Sequence, residues 1–263
     1  MKKTFTSACW IAWLSVQLAP AAELVVDKIV AGGSASPALS GAKLLFSDYF
    51  DTNPFEKASP RWSVVKFYHY GFYWSGFGWD PVHDANLGGA AAGLPASDGN
   101  TLVAFSTGHI ELLGNAPLKL PAKGELSFDF CIRHRAKPEG TVVMAQQFVT
   151  QPDQQAVSVS FQVNPAGQMA WKGGGTPEHP QTLQPGVWYS FTTRVTKTNG
   201  VLSLESEIHR AADGSLIARA PLRSETVPGA VPETFKPGIQ LDLSPEGYWS
   251  RLVEIDNVTF FEN

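Results

Sequence analysis

The chain has 263 residues, of which 43% are hydrophobic, 11% aromatic and 17% charged, with 24 glycines and 19 prolines. That length can bury a large core, and the low charge with ample aromatic content excludes a disordered, collagen-like or coiled-coil chain. Twenty basic against 24 acidic residues give a net charge of −4, which excludes a broad electrostatic grip on a nucleic-acid backbone.

Lys2 and Lys3 precede the apolar stretch Ala8–Leu14, and Ala19-Pro20-Ala21 follows. A short basic region, a short apolar run and an Ala-x-Ala site predict a secretory signal peptide over residues 1–21, too short for a membrane span. Its removal takes two lysines and no acid, which moves the net charge from −4 to −6. Cys9 leaves with it, so Cys131 stands alone and no intrachain disulfide is expected. Residues 22–43, rich in Ala, Gly and Ser, read as a leader, and 44–263 as one domain.

From Leu44 onward the dominant signal is alternation. Leu126, Phe128, Phe130 and Ile132 alternate with Ser127, Asp129, Cys131 and Arg133. Val157, Val159, Phe161 and Val163 repeat the pattern, as do Val187, Tyr189, Phe191, Thr193 and Val195, and then Leu202, Leu204 and Ile208. Each is a strand with one buried face. Asn164–Gly167, Thr198-Asn199-Gly200 and Asp213-Gly214 are hairpin turns, because Asn, Asp and Gly tolerate positive φ. Pro185-Gly186 and Pro237-Gly238 are each expected just before a strand. Ten to twelve strands without a helical stripe predict an all-β, two-sheet antiparallel β-sandwich.

Leu44–Asp51 followed by Arg61-Trp62, then Gln184–Phe191 with its Gly-x-Trp-Tyr, then Leu252–Phe260 occur in the order and spacing of a known family. The chain resembles the secreted concanavalin A-like lectin/glucanase (laminin-G-like jelly-roll) superfamily over roughly 44–263. The resemblance implies a final strand pairing near the first. It also implies a lectin-like module, or a glycoside hydrolase or polysaccharide lyase. A structural calcium between first and last strands is a further implication, with Asp48, Asp51 and Asp256 as hard-oxygen ligands.

Catalytic patterns are weaker. Glu254-Ile255-Asp256 is similar to the start of the Glu-x-Asp-x-x-Glu strand of family 16 glycoside hydrolases, but Thr259 or Phe260 occupies the place of the last Glu. It therefore reads as the closing strand. Glu205 and Glu207 share the face opposite Leu202, Leu204 and Ile208, and read as a solvated surface. The six histidines show no metal-ligand spacing, Gly173–Gly175 lacks the context of a phosphate loop, and Cys131 reads as a small strand residue.

The strongest functional lead is Phe67–Trp79, with eight aromatics in thirteen residues. On a continuous strand both faces would carry rings, more than one buried face requires. Aromatic faces stack on the C–H faces of sugars. The expected ligand-binding residues are Tyr68, Tyr70, Trp74, Trp79 and His83, with help from Trp171. The expected function is secreted carbohydrate recognition by a glycan or cell-surface polysaccharide binder, with no nucleic acid and no membrane span. The alternatives are an extracellular polysaccharide-degrading enzyme and a secreted protein-interaction domain.

Overall fold

Side chains that alternate along extended backbone create two-faced strands, and two sheets of such strands bury their apolar faces against each other. The computed structural model describes residues 41–50, 61–69, 76–78, 102–105, 108–134, 139–151, 156–172, 181–226, 233–243 and 251–263. Its strands are β1 (Lys43–Asp48), β2 (Trp62–His69), β3 (Gly76–Gly78), β4 (Leu102–Phe105), β5 (Gly108–Gly114), β6 (Leu118–Lys119), β7 (Lys123–His134) and β8 (Val142–Gln151). They continue with β9 (Ala156–Val163), β10 (Met169–Trp171), β11 (Trp188–Thr198), β12 (Val201–Arg210), β13 (Leu216–Arg219), β14 (Arg223–Thr226), β15 (Thr234–Leu243) and β16 (Arg251–Glu262). The larger sheet has nine strands in the order β13-β12-β11-β7-β16-β4-β3, with β1 on β16 and β14 on β12. The smaller has seven in the order β10-β9-β8-β15-β5-β2, with β6 on β15. All pairings are antiparallel, and the described residues contain no helix. The protein is a two-sheet antiparallel β-sandwich.

The core between the sheets is dense in rings. Phe128 meets Phe191 edge-on at 5.4 Å between centroids, and Phe161 meets Phe191 at 5.1 Å, joining the sheets across the middle. Such pairs contribute about 0.5–1.5 kcal/mol each beyond burial. One buried amide crosses with them: Gln146 Nε2, on β8, donates to the Phe191 carbonyl at 2.7 Å and to that of Leu126 at 3.3 Å.

The hairpins form where expected. Asn199 (φ 48°) and Gly200 (φ 82°) turn β11 into β12, and the Asn164 side chain accepts from the Gln168 backbone N–H at 2.9 Å. Pro237-Gly238 differs from expectation, since it lies inside β15 rather than before it. The position tolerates proline because β5 ends beside it and β6 takes over as neighbour. Gly114 provides the room, as a Cβ there would stand 3.1 Å from the proline ring.

The first and last strands pair, Asp48 opposite Val258. Asp48 explains why Leu44–Asp51 and Arg61-Trp62 occur together. Its Oδ2 accepts from Trp62 Nε1 at 2.8 Å, and its Oδ1 from the Phe50 N–H at 2.9 Å and Arg61 at 3.2 Å. One buried carboxylate thus ties β1 of one sheet to β2 of the other.

Candidate functional site

The outer face of the seven-stranded sheet carries an ordered polar ladder. On β15, Phe235, Ile239 and Leu241 enter the core, which leaves half-buried Gln240 and Asp242 outward. On β8, Val142, Met144 and Phe148 point inward, so Gln147 faces out beside them. Gln147 Nε2 donates to Gln240 Oε1 at 2.8 Å, and Gln240 Nε2 donates to Asp242 Oδ2 at 3.0 Å. The carboxylate can only accept, so it fixes the polarity of both amides above it. Gln147 Oε1 is left at the far end, buried and without a hydrogen-bond partner among the described residues. Gly238 makes this possible, since a Cβ there would lie 3.0 Å from both Cβ and Oε1 of Gln147.

Register extends the ladder across the sheet. Gln240 stands opposite Glu111, and Glu111 opposite Lys66; Asp242 stands opposite His109, and His109 opposite Tyr68. Tyr68 is thus placed in one cross-strand row with a histidine and an aspartate from two other strands. The aromatic segment is divided: β2 ends at His69, and the chain rejoins the opposite sheet as β3, Gly76–Gly78. Tyr70, Trp74, Trp79 and His83 lie outside the described residues. Trp171 is placed in the core, 7% exposed, with its ring 5.6 Å from Phe161 and 5.9 Å from Phe191. The core uses that ring, because the Met169–Trp171 strand turns both of its large side chains inward.

The outer face of the nine-stranded sheet is polar too, but its acids are engaged internally. Asp129 and Asp256 stand directly opposite on β7 and β16, both buried. Asp129 accepts from Ser190 Oγ at 2.5 Å and from Asn257 Nδ2 at 2.8 Å, while Asp256 Oδ1 accepts from the Asn257 N–H at 2.7 Å. Burial pushes the Asp129 carboxyl up to about 6, against the pull of those hydrogen bonds from Ser190 and Asn257. Glu254 is wholly buried and accepts from Arg133 Nε at 2.8 Å; burial raises its pKa, with Arg133 opposing. Cys131, in the same face, is fully buried, and burial drives its thiol up to about 12.

Glu205 is exposed as expected, but Glu207 is not a solvated acid. Arg194, Arg219 and His209 close over it at 3.0, 2.6 and 3.2 Å. Burial alone would raise the Glu207 carboxyl, yet hydrogen bonds from His209 and Arg219 hold it below its ordinary value.

The expected calcium ligands do not converge. Asp48 reaches toward Trp62 in the core, and its oxygens are occupied by three donors. Asp256 alternates with buried Val253 and Ile255 and so leaves the sheet on the other face. Asp51 lies outside the described residues. No group of three or more His, Cys, Asp or Glu among the described residues is arranged to hold a metal.

The ladder escaped sequence reasoning because Gln147 and Gln240 come from strands 93 residues apart. A usable signal was Gln146-Gln147, two polar residues in succession inside an apolar strand, which places an amide on each face.

No family model matches the chain, and no curated protein matches it. Among solved structures it is similar to arcelin-5, a lectin-like defence protein from Phaseolus vulgaris, at 12% identity and a TM-score of 0.40, over 63% of this chain and 87% of that one. The legume lectin-like domain from Entamoeba histolytica follows at 11% identity and 0.37, over 62% and 84%. The carbohydrate recognition domain of Emp46p aligns at 8% identity and 0.44, over 82% and 95%. At these scores no residue role or activity passes from them to this chain, whose sandwich rests on its own sheet topology.

Proposed function

We propose that this protein is an exported glycan-binding β-sandwich whose binding face is the outer surface of the seven-stranded sheet. The observation that carries the reading is the polarised run Gln147, Gln240, Asp242 in register with His109 and Tyr68. Amide and carboxylate groups fixed on rigid strands suit a polyhydroxylated ligand, whose hydroxyls both donate and accept. Tyr70 and Trp74 belong to the segment between β2 and β3, and stacking by rings from that segment would complete the site. Export rests on the signal-peptide pattern over residues 1–21, tested by N-terminal sequencing of secreted protein.

The test is affinity electrophoresis in gels cast with a panel of soluble polysaccharides. Wild type is retarded by at least one member. Gln240→Ala, which removes the middle of the ladder, lowers that retention about tenfold, the loss expected for two hydrogen bonds. Losing the acceptor of the buried Gln147 amide costs about 1–3 kcal/mol of stability, so retention of both proteins is compared well below their melting temperatures. Unchanged retention by Gln240→Ala places the ligand elsewhere. A second reading, an enzyme acting on polysaccharide, is favoured by the Tyr68, His109 and Asp242 row, since Tyr and His serve proton transfer. New reducing ends or unsaturated products in the same samples would establish it.

A further inference from the structure

The turn between β11 and β12, on the nine-stranded sheet, brings together two residues that can react with each other. We infer that Asn199 is a site of spontaneous backbone modification in the folded protein, converted through a cyclic imide with Gly200 into aspartyl and isoaspartyl forms.

The reaction needs an unrestrained amide, a free N–H on the next residue, and water. The Gly200 nitrogen attacks Asn199 Cγ; the N–Cγ bond forms, the Cγ–Nδ2 bond breaks, and the amide leaves as ammonia with the proton given up by Gly200. Water then opens the ring at Cγ to give aspartate, or at the main-chain carbonyl to give isoaspartate, whose backbone runs through the side chain. Nothing is oxidised or reduced, and water is the only co-reactant.

The turn meets these needs. Thr198 pairs with Val201, so Asn199 and Gly200 alone make it, with φ of 48° and 82°. Asn199 is exposed, and neither its amide nor the Gly200 N–H has a hydrogen-bond partner among the described residues. Glycine also places no Cβ against the closing ring.

Positions that resemble it in sequence are closed. At Asp213-Gly214 the Gly214 N–H donates to the Arg210 carbonyl at 2.9 Å, and Asp213 Oδ1 accepts from the Ser215 hydroxyl at 2.6 Å and N–H at 2.9 Å. The Ser215 hydroxyl, then its N–H, hold the Asp213 carboxyl below its ordinary value, in the ionised form that is a poor electrophile. Asn164 precedes Pro165, which has no N–H. Asn257 donates its amide to Asp129 and precedes the buried, β-branched Val258, and the Asn115 amide oxygen accepts from Ser63.

The two products differ in consequence. Aspartate tolerates positive φ and keeps the turn. Isoaspartate adds a methylene to the backbone, which a two-residue turn in this register does not accommodate.

The experiment incubates the purified protein at pH 8.5 and 37 °C, folded or in guanidinium chloride. Trypsin then places Asn199 in peptide 198–210 and Asp213 in peptide 211–219, by cutting after Lys197, Arg210 and Arg219. An isoaspartyl methyltransferase counts isoaspartate in each. The folded protein accumulates it in 198–210, and folding suppresses the reaction at Asp213 at least about tenfold more than at Asn199. Asn199→Gln, whose imide ring is larger and closes far more slowly, loses the 198–210 signal and keeps that of 211–219. The isoaspartyl-rich fraction of aged protein unfolds at a lower denaturant concentration than Asn199→Asp. Isoaspartate at Asn199 only in the unfolded chain, or equal suppression at the two sites, overturns the inference. An isoaspartyl-rich fraction that unfolds together with Asn199→Asp overturns the damage assigned to the turn.

Discussion

Asp129 gives the sharpest quantitative test of the buried acid pair. In the unfolded chain its carboxyl titrates near 3.8, and in the native sheet burial holds it up at about 6. A native pKa above the unfolded one means that the folded state binds the proton more tightly. The stabilisation from protonation is therefore full below about pH 3.8 and is lost as pH rises through about 6. The gap of roughly two units corresponds to about 3 kcal/mol over the whole range, of which about 2 kcal/mol falls between pH 4.5 and 7.5. Asp129→Asn removes this titration, while the opposite-signed contribution of Glu207 and the parallel one of Glu254 remain in both proteins. Urea unfolding of wild type and variant at pH 4.5, 5.5, 6.5 and 7.5 yields the difference in stability at each pH. Relative to wild type the variant gains about 2 kcal/mol from the lowest to the highest pH, whatever its offset from replacing an acceptor of Ser190 and Asn257. In a chain of this size that gain is about 4–8 °C in melting temperature. A difference that is flat in pH, or that falls, refutes the claim that burial raises the Asp129 carboxyl to about 6.

Three further outcomes follow from other contacts. Trp62→Phe keeps the ring in the core but leaves Asp48 Oδ2 without its indole donor, which costs about 1–3 kcal/mol in urea unfolding. Gly238→Ala pushes a methyl group against Gln147, whose Cβ and Oε1 lie 3.0 Å away, so polysaccharide retention falls severalfold while unfolding shifts by only about 1 kcal/mol. Cys131, buried with its thiol at about 12, stays unmodified by a thiol-reactive dye in native protein at pH 8 and reacts at once in urea.

Period-2 alternation made the middle of the chain legible. The faces of 125–134, 157–163, 187–195 and 201–208 are those that the residue types dictate, and Asn199-Gly200 turns where positive φ is needed. The pairing of first and last strands that the resemblance implies is present, with Asp48 opposite Val258, and the motif residues meet within their own stretches, Asp48 on Trp62 and the Gln184 N–H on the Tyr189 hydroxyl at 2.8 Å. What alternation could not supply is which strand lies beside which. Glu207 looked solvated until β11 and β13 brought Arg194 and Arg219 over it. Pro237 looked like a strand boundary, since nothing local reports that its neighbour strand ends beside it. The ladder of Gln147, Gln240 and Asp242 is likewise a product of tertiary register, invisible in any single window.

The place of β16 has a consequence for how the protein is made. This strand, residues 251–262, is no edge: it bonds to β7 along one side and to β4 and β1 along the other. A nascent chain that has emerged only as far as residue 250 therefore lacks the middle of its larger sheet. Two sets of unpaired strand edges, those of β7 and of β1 with β4, wait for it with their backbone groups open to other chains. The β1–β16 pairing joins residues more than 200 positions apart, so loop closure must come before reward and folding is slow. The larger sheet thus closes only once residue 262 has been made, and a nonsense mutation near residue 250 yields an aggregating chain instead of a trimmed domain.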